Sequence, residues 1–198
     1  YTQTPDELIF DFDPTDDPVH GNQAKRFFHG YYDHYCFLPL YVFCGSQLLV
    51  AYLRPADIDP AMHSRAILKL LVKRIRQQWP DVKIIFRADS GFCLPELLAL
   101  WEQLRLPYVV VAQLSEPIKN LLRAGLEWTP TEVPGTEVAE VAYQTVGWSQ
   151  PRRVILIRHR VAERPEAGGK KLLDVPGYVF QALVTSWPTS EPPLAVWR

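Results

Sequence analysis

The chain has 198 residues, long enough for one full domain with an insertion. Its apolar content of 47% and aromatic content of 12% exclude disorder as the resting state, and no apolar run reaches the length of a membrane span. A net charge of −1 is not the footprint of a strong general nucleic-acid binder.

In chain order, residues 8–13 read as a short apolar strand that ends in acid, Leu8-Ile9-Phe10-Asp11-Phe12-Asp13. Residues 14–34 are polar and turn-rich and read as loop. Two apolar and aromatic runs, 35–44 and 47–54, flank Gly45-Ser46, a hairpin signal. Asp59-Pro60 reads as a helix start, a capping acid followed by proline at the first helical position. Leu68, Leu71, Val72, Ile75 and Trp79 then recur at helical spacing until Pro80. Residues 82–88 read as a strand, 94–104 as an amphipathic helix, and the apolar run Tyr108 to Ala112 as a central parallel strand.

The order strand, hairpin, helix, strand, helix, strand predicts an α/β domain with a mixed sheet over residues 1–125. Residues 126–198 read as a β-rich subdomain and tail. Its strands are expected at 138–146, 152–161 and 178–185, with Glu166 to Lys171 as a turn and 187–193 as a proline-bearing loop. Cys36, Cys44 and Cys93 are odd in number, lack paired spacing, and read as reduced thiols of a cytoplasmic protein.

Two acids stand at strand ends. Asp13 closes the first strand and Asp89 closes Ile84-Ile85-Phe86-Arg87-Ala88-Asp89. Ligands gather beyond the C-terminal ends of strands in open α/β sheets. Two neighbouring carboxylates there form half of a divalent-metal site, suited to Mg²⁺ or Mn²⁺ and to phosphodiester chemistry. As simple turn or capping residues they would need no such partner. Lys69, Lys73, Arg74 and Arg76 on one helix, and Arg152, Arg153, Arg158 and Arg160 on a strand pair, read first as solvated faces. Trp128, Trp148 and Tyr143 lie near the second group in sequence, where packing is the commoner role and DNA stacking the rarer one. His20, His29, His34 and His63 fit no zinc spacing.

Several ordered blocks carry a resemblance. The segment 11–23, Asp11-Phe12-Asp13-Pro14-Thr15 onward, is similar to the first catalytic block of DDE transposases of the IS1380 type. Phe28-His29-Gly30-Tyr31-Tyr32-Asp33-His34-Tyr35, Leu53-Arg54-Pro55 and Arg87-Ala88-Asp89-Ser90-Gly91-Phe92 resemble its later blocks. The resemblance implies an RNase H-like fold, a mixed sheet with flanking helices and a β-rich insertion. It also implies cut-and-paste movement of an insertion sequence, DNA (transposon ends and target) as partner, and a homodimer in the intact protein. Asp13 and Asp89 would be the first two acids of the catalytic triad.

The third acid, a glutamate in a Tyr-x-x-Arg-x-x-x-Glu block, has no counterpart. Arg123 and Glu127 have the spacing, but Asn120 replaces the tyrosine. The chain is therefore expected to be a truncated core, inactive alone. A rival resemblance is to haloacid dehalogenase-type phosphatases, with Asp11 as nucleophile and Asp13 as acid/base alongside Mg²⁺. A third reading is a non-catalytic remnant that binds DNA or a partner protein.

Overall fold

The structure is a computed structural model that describes residues 4–161, 175 and 177–197. The chain divides into two units, Tyr1–Pro107 and Tyr108–Arg198, and the architecture is mixed α/β, consistent with an RNase H-like fold.

In the first unit, strand β1 (Glu7–Pro14) buries Leu8, Phe10, Phe12 and Pro14 on one face and sends Ile9, Asp11 and Asp13 to the other. This is the period-two alternation of a strand covered on one side. β5 (Leu40–Cys44) pairs antiparallel with β1, and β7 (Lys83–Ala88) pairs parallel with it on the other side. β6 (Gln47–Tyr52) completes the order β6-β5-β1-β7. Gly45, at φ 57°, supplies the left-handed residue that the two-residue turn between β5 and β6 requires.

Helices α1 (Ser64–Gln78) and α2 (Pro95–Gln103) follow. Trp101 of α2 stacks on Phe86 of β7 with ring centroids 4.1 Å apart. Phe86 meets Phe12 at 4.7 Å, so this aromatic column seals the apolar face of the strand pair. Ile75 of α1 and Trp79, the residue just after it, line a groove with Leu8 and Phe10 on that same face.

A separate sheet forms from β2 (Asp17–Pro18), β3 (Phe27–His29) and β4 (His34–Phe37), in the order β2-β4-β3. The expected loop over 14–34 thus carries two short strands, whose two or three residues are too brief to show a period. The expected strand over 35–44 is two strands in two sheets, broken at Leu38-Pro39. Helix α1 begins at Ser64 and not at Asp59-Pro60. Asp59 instead closes a turn, its Oδ1 accepting from Ala61 N–H at 2.8 Å, and His63 at φ 68° leads into the helix.

Buried Arg54, 1% exposed, joins these pieces. Its Nε donates to the Leu38 carbonyl at 2.8 Å, and Nη1 donates to the carbonyls of Pro60 and Met62 at 2.9 and 2.7 Å. Burial pushes its guanidinium below the usual arginine range, while Asp59 and Tyr52 act the other way.

In the second unit, β8 (Tyr108–Ala112), β12 (Tyr178–Thr185), β11 (Arg152–Arg160), β10 (Thr136–Tyr143) and β9 (Thr129–Pro130) lie in that order. Each described pairing among them is antiparallel. Within this unit the ladder of β8 with β12 runs antiparallel. Val109, Val138, Ile155, Ile157, Leu183 and Val196 form its core. Helix α3 (Glu116–Arg123) and the short α4 (Pro193–Trp197) are additions to the sequence reading. The expected turn Glu166 to Lys171 lies outside the described residues.

Among the described residues no helix is long and apolar enough to cross a membrane. Replacing Phe86 with alanine removes its ring contacts with Phe12, Phe92 and Trp101; the expected cost is about 3–5 kcal/mol of unfolding free energy, read from denaturant titration.

Candidate functional site: an acid pair at the end of two parallel strands

The register of β1 and β7 decides where the acids fall. Pairing runs from Glu7↔Lys83 to Phe12↔Ala88, so the next step along both strands sets Asp13 beside Asp89. The strands are parallel, so both acids leave the same end of the sheet. The alternation of β1 and β7 puts them on the same face, away from the Phe12–Phe86 column. On the far side of Asp13, Tyr41 of β5 is its direct partner.

Each strand ends immediately. Pro14 closes β1, and a single turn of 3₁₀ helix, Ser90–Phe92, follows Asp89. Asp89 caps that turn, its Oδ1 accepting from Gly91 N–H at 2.9 Å. A Cβ at position 91 would sit 3.1 Å from this oxygen, so glycine leaves the carboxylate its place. Burial raises the Asp89 carboxyl above its ordinary value; the Gly91 N–H opposes this, and the charge on Asp13 adds to it. Asp89 as a residue stands exposed, so the desolvation is local to the carboxyl and solvent screens its energetic weight.

Two residues back, the same face carries the opposite arrangement. Asp11 and Arg87 are register partners. Arg87 grips Asp11 through Nε to Oδ1 at 2.5 Å and Nη2 to Oδ2 at 2.9 Å, a bidentate fork. Hydrogen bonding to Asp11 raises the Arg87 guanidinium further. Both oxygens of Asp11 are therefore held, which does not favour the phosphatase reading, where Asp11 is the nucleophile.

Residues the sequence did not assign to the site border it. The loop of the β3–β4 hairpin, Gly30 to Asp33, carries Tyr32. Its phenol is raised first by burial, then by the charges of Asp16, Tyr31, Asp13 and Asp89. His34 Nε2 lies 2.7 Å from Asp16 Oδ2, and the rings of His29 and Tyr32 are 4.9 Å apart. The Gly-Tyr-Tyr block was the signal that pointed here.

Among the described residues no group of three His, Cys, Asp or Glu side chains is placed to hold a metal ion. Arg123 ends α3 and donates to Asn120 Oδ1 at 2.9 Å, while Glu127 lies beyond the helix. The basic clusters are accounted for locally. Lys69, Lys73 and Arg74 face solvent. Arg153 is bound by Glu140, and Arg158 by Glu137 and by the rings of Trp128 and Tyr178 at 4.4 and 4.7 Å. Arg152 lies over Trp148 at 5.0 Å. Cys36 and Cys44 are buried, and Cys93 is half-buried.

The raised Asp89 carboxyl sets a pH dependence. The folded state holds this proton more tightly than the unfolded chain, so ionisation at neutral pH costs stability. The cost is relieved as pH falls through the raised folded value toward the ordinary carboxylate value. Asp89→Asn should therefore be more stable than the parent at neutral pH, by an amount that solvent screening keeps small. The difference should close on acidification, read from melting curves at both pH values.

A family model described as transposase DDE domain group 1 matches residues 1–191. Comparison with curated proteins gave no match. The match spans both units and contains the acid pair, the Arg87–Asp11 fork and the Gly-Tyr-Tyr hairpin, so the chain belongs to the DDE transposase domain family.

Proposed function

We propose that the chain is the catalytic core of a cut-and-paste transposase of the IS1380 type, and that Asp13 and Asp89 are its first two catalytic acids. The observation that carries this is the β1–β7 register, which brings two carboxylates to one face at one sheet end.

The pair suits Mg²⁺ or Mn²⁺ chemically. Both are hard oxygen donors, and the mutual charge of Asp13 and Asp89 favours a cation between them. When bound, such ions activate water and stabilise a leaving oxygen in phosphodiester cleavage. The protein's own part is to hold the donors still. Gly91 N–H fixes Asp89 Oδ1 and leaves Oδ2 free. Arg87 neutralises Asp11, so that carboxylate does not compete for the ion.

The substrate on this reading is DNA, transposon ends and target, handled in the cytoplasm by a homodimer of the intact protein. On this reading Asp13 and Asp89 by themselves hold an ion weakly and support little or no strand transfer.

Crystals soaked in Mn²⁺ test the assignment through anomalous scattering. The expected ion lies between Asp13 and Asp89 and is lost in Asp89→Asn, while strand transfer by the isolated chain stays at background. An ion at Asp11 and Asp13, remote from Asp89, would revive the phosphatase reading. Strand transfer by the chain alone would overturn the expectation that the two acids by themselves do not support it.

A further inference from the structure

Exposed aromatic side chains are concentrated on one element. Among the described residues five large aromatics are exposed, and four of them, Phe27, Phe28, Tyr31 and Tyr35, lie on the β3–β4 hairpin; the fifth is Tyr52. Tyr31, at the hairpin tip, is 86% exposed. Open rings in such number mark an interaction surface.

The rings are ordered. Phe28 and Tyr35 are direct cross-strand partners, with edge-on rings 5.7 Å apart. The guanidinium of Arg26 lies 4.5 Å from the Tyr35 ring centroid, steered by a 2.6 Å hydrogen bond to Asn22 Oδ1. At the tip, Tyr31 stands edge-on to Tyr32 at 5.1 Å. Tyr32 is seated on Cys36, Leu38 and Ala56, which anchors the loop. Asp33, at φ 59°, turns the chain, and its N–H donates to the His29 carbonyl at 2.8 Å. The tip is thus a fixed presentation of a ring, bordering the acid pair whose charges reach Tyr32.

The chemistry of the patch selects its occupant. Its exposed apolar surface is rings with a guanidinium, and not the aliphatic side chains that would fit a lipid surface. Planar rings and guanidinium faces match the π-faces of nucleobases. Paired bases hide those faces in the stack, so only unpaired nucleotides present them. The net charge of −1 leaves little long-range phosphate attraction, so stacking must carry a larger share here than in a basic DNA-binding protein.

We propose that the β3–β4 hairpin is a stacking platform for unpaired bases of a DNA end. Tyr31 takes the base nearest the acid pair, and Phe28 and Tyr35, capped by Arg26, offer a second stacking position. This rests on the reading of the chain as a DNA-handling core.

The test uses the whole 198-residue chain and two probes. One is a blunt duplex; the other is the same duplex with a single-stranded overhang carrying 2-aminopurine. Anisotropy should show tighter binding of the overhang probe, and 2-aminopurine fluorescence should be quenched on binding. Tyr31→Ala and the Phe28→Ala/Tyr35→Ala pair should each weaken overhang binding by roughly tenfold, with blunt-duplex binding unchanged. Tyr31→Phe should behave as the parent, whereas Tyr31→Leu, apolar but without a π-face, should lose the quench. Raising salt should weaken blunt binding more steeply than overhang binding.

If both probes bind equally and the alanine variants match the parent, the platform is wrong while DNA handling stands. If neither probe binds, the DNA-handling reading itself falls and takes the platform with it. A dimer that the alanine variants convert to monomer, with overhang affinity unchanged, would reassign the rings to contact between copies of the chain.

Discussion

The in-register parallel pairing of β1 with β7 is the constraint on which the rest depends. It is a backbone ladder, indifferent to side-chain charge, and it is sealed from one side by Phe12, Phe86 and Trp101. That apolar column supplies the stability that lets the opposite face carry two unneutralised acids at its edge. A shift of one residue would turn Asp13 into the aromatic layer and bring Phe12 out. The hydrophobic effect therefore fixes the acids indirectly, by making any other register expensive.

The two acidic positions of β1 show how neighbours decide the role of a carboxylate. Asp11 meets a guanidinium across the ladder and is consumed by it. Asp13, one pleat further on, pairs with Tyr41 on β5, lies one step past the last β1–β7 pair, and acts by its charge on Asp89. Both are the same residue type on the same face, and a short motif search treats them alike. The cross-strand partner, which comes from a segment more than seventy residues away, separates structural ion pair from candidate site.

Much of the fold was legible because its signals are periodic. The alternation of Leu8, Phe10 and Phe12, the helical spacing of Leu68, Val72 and Ile75, and the Gly45-Ser46 turn each declare one element, and each forms. The α/β class follows from their order. The errors have a common cause, competition between local signals. Asp59-Pro60 is a good helix start, but it is used for a turn because Arg54 needs the carbonyls of Pro60 and Met62 as acceptors. Both acids could be picked from their strand-end positions, but the Arg87 fork and the seating of Tyr32 are tertiary contacts with no local signature.

Arg54 has one more consequence, for how the sequence around it is free to change. All of its hydrogen bonds end on main-chain oxygens, at Leu38, Pro60 and Met62. Those oxygens survive substitution of the residues that carry them. The arginine thus reads the path of the chain and not its lettering. Drift at the three acceptor positions is permitted wherever the path is kept, whereas position 54 itself has no conservative replacement: lysine is long enough to reach one carbonyl but lacks the fork to hold three.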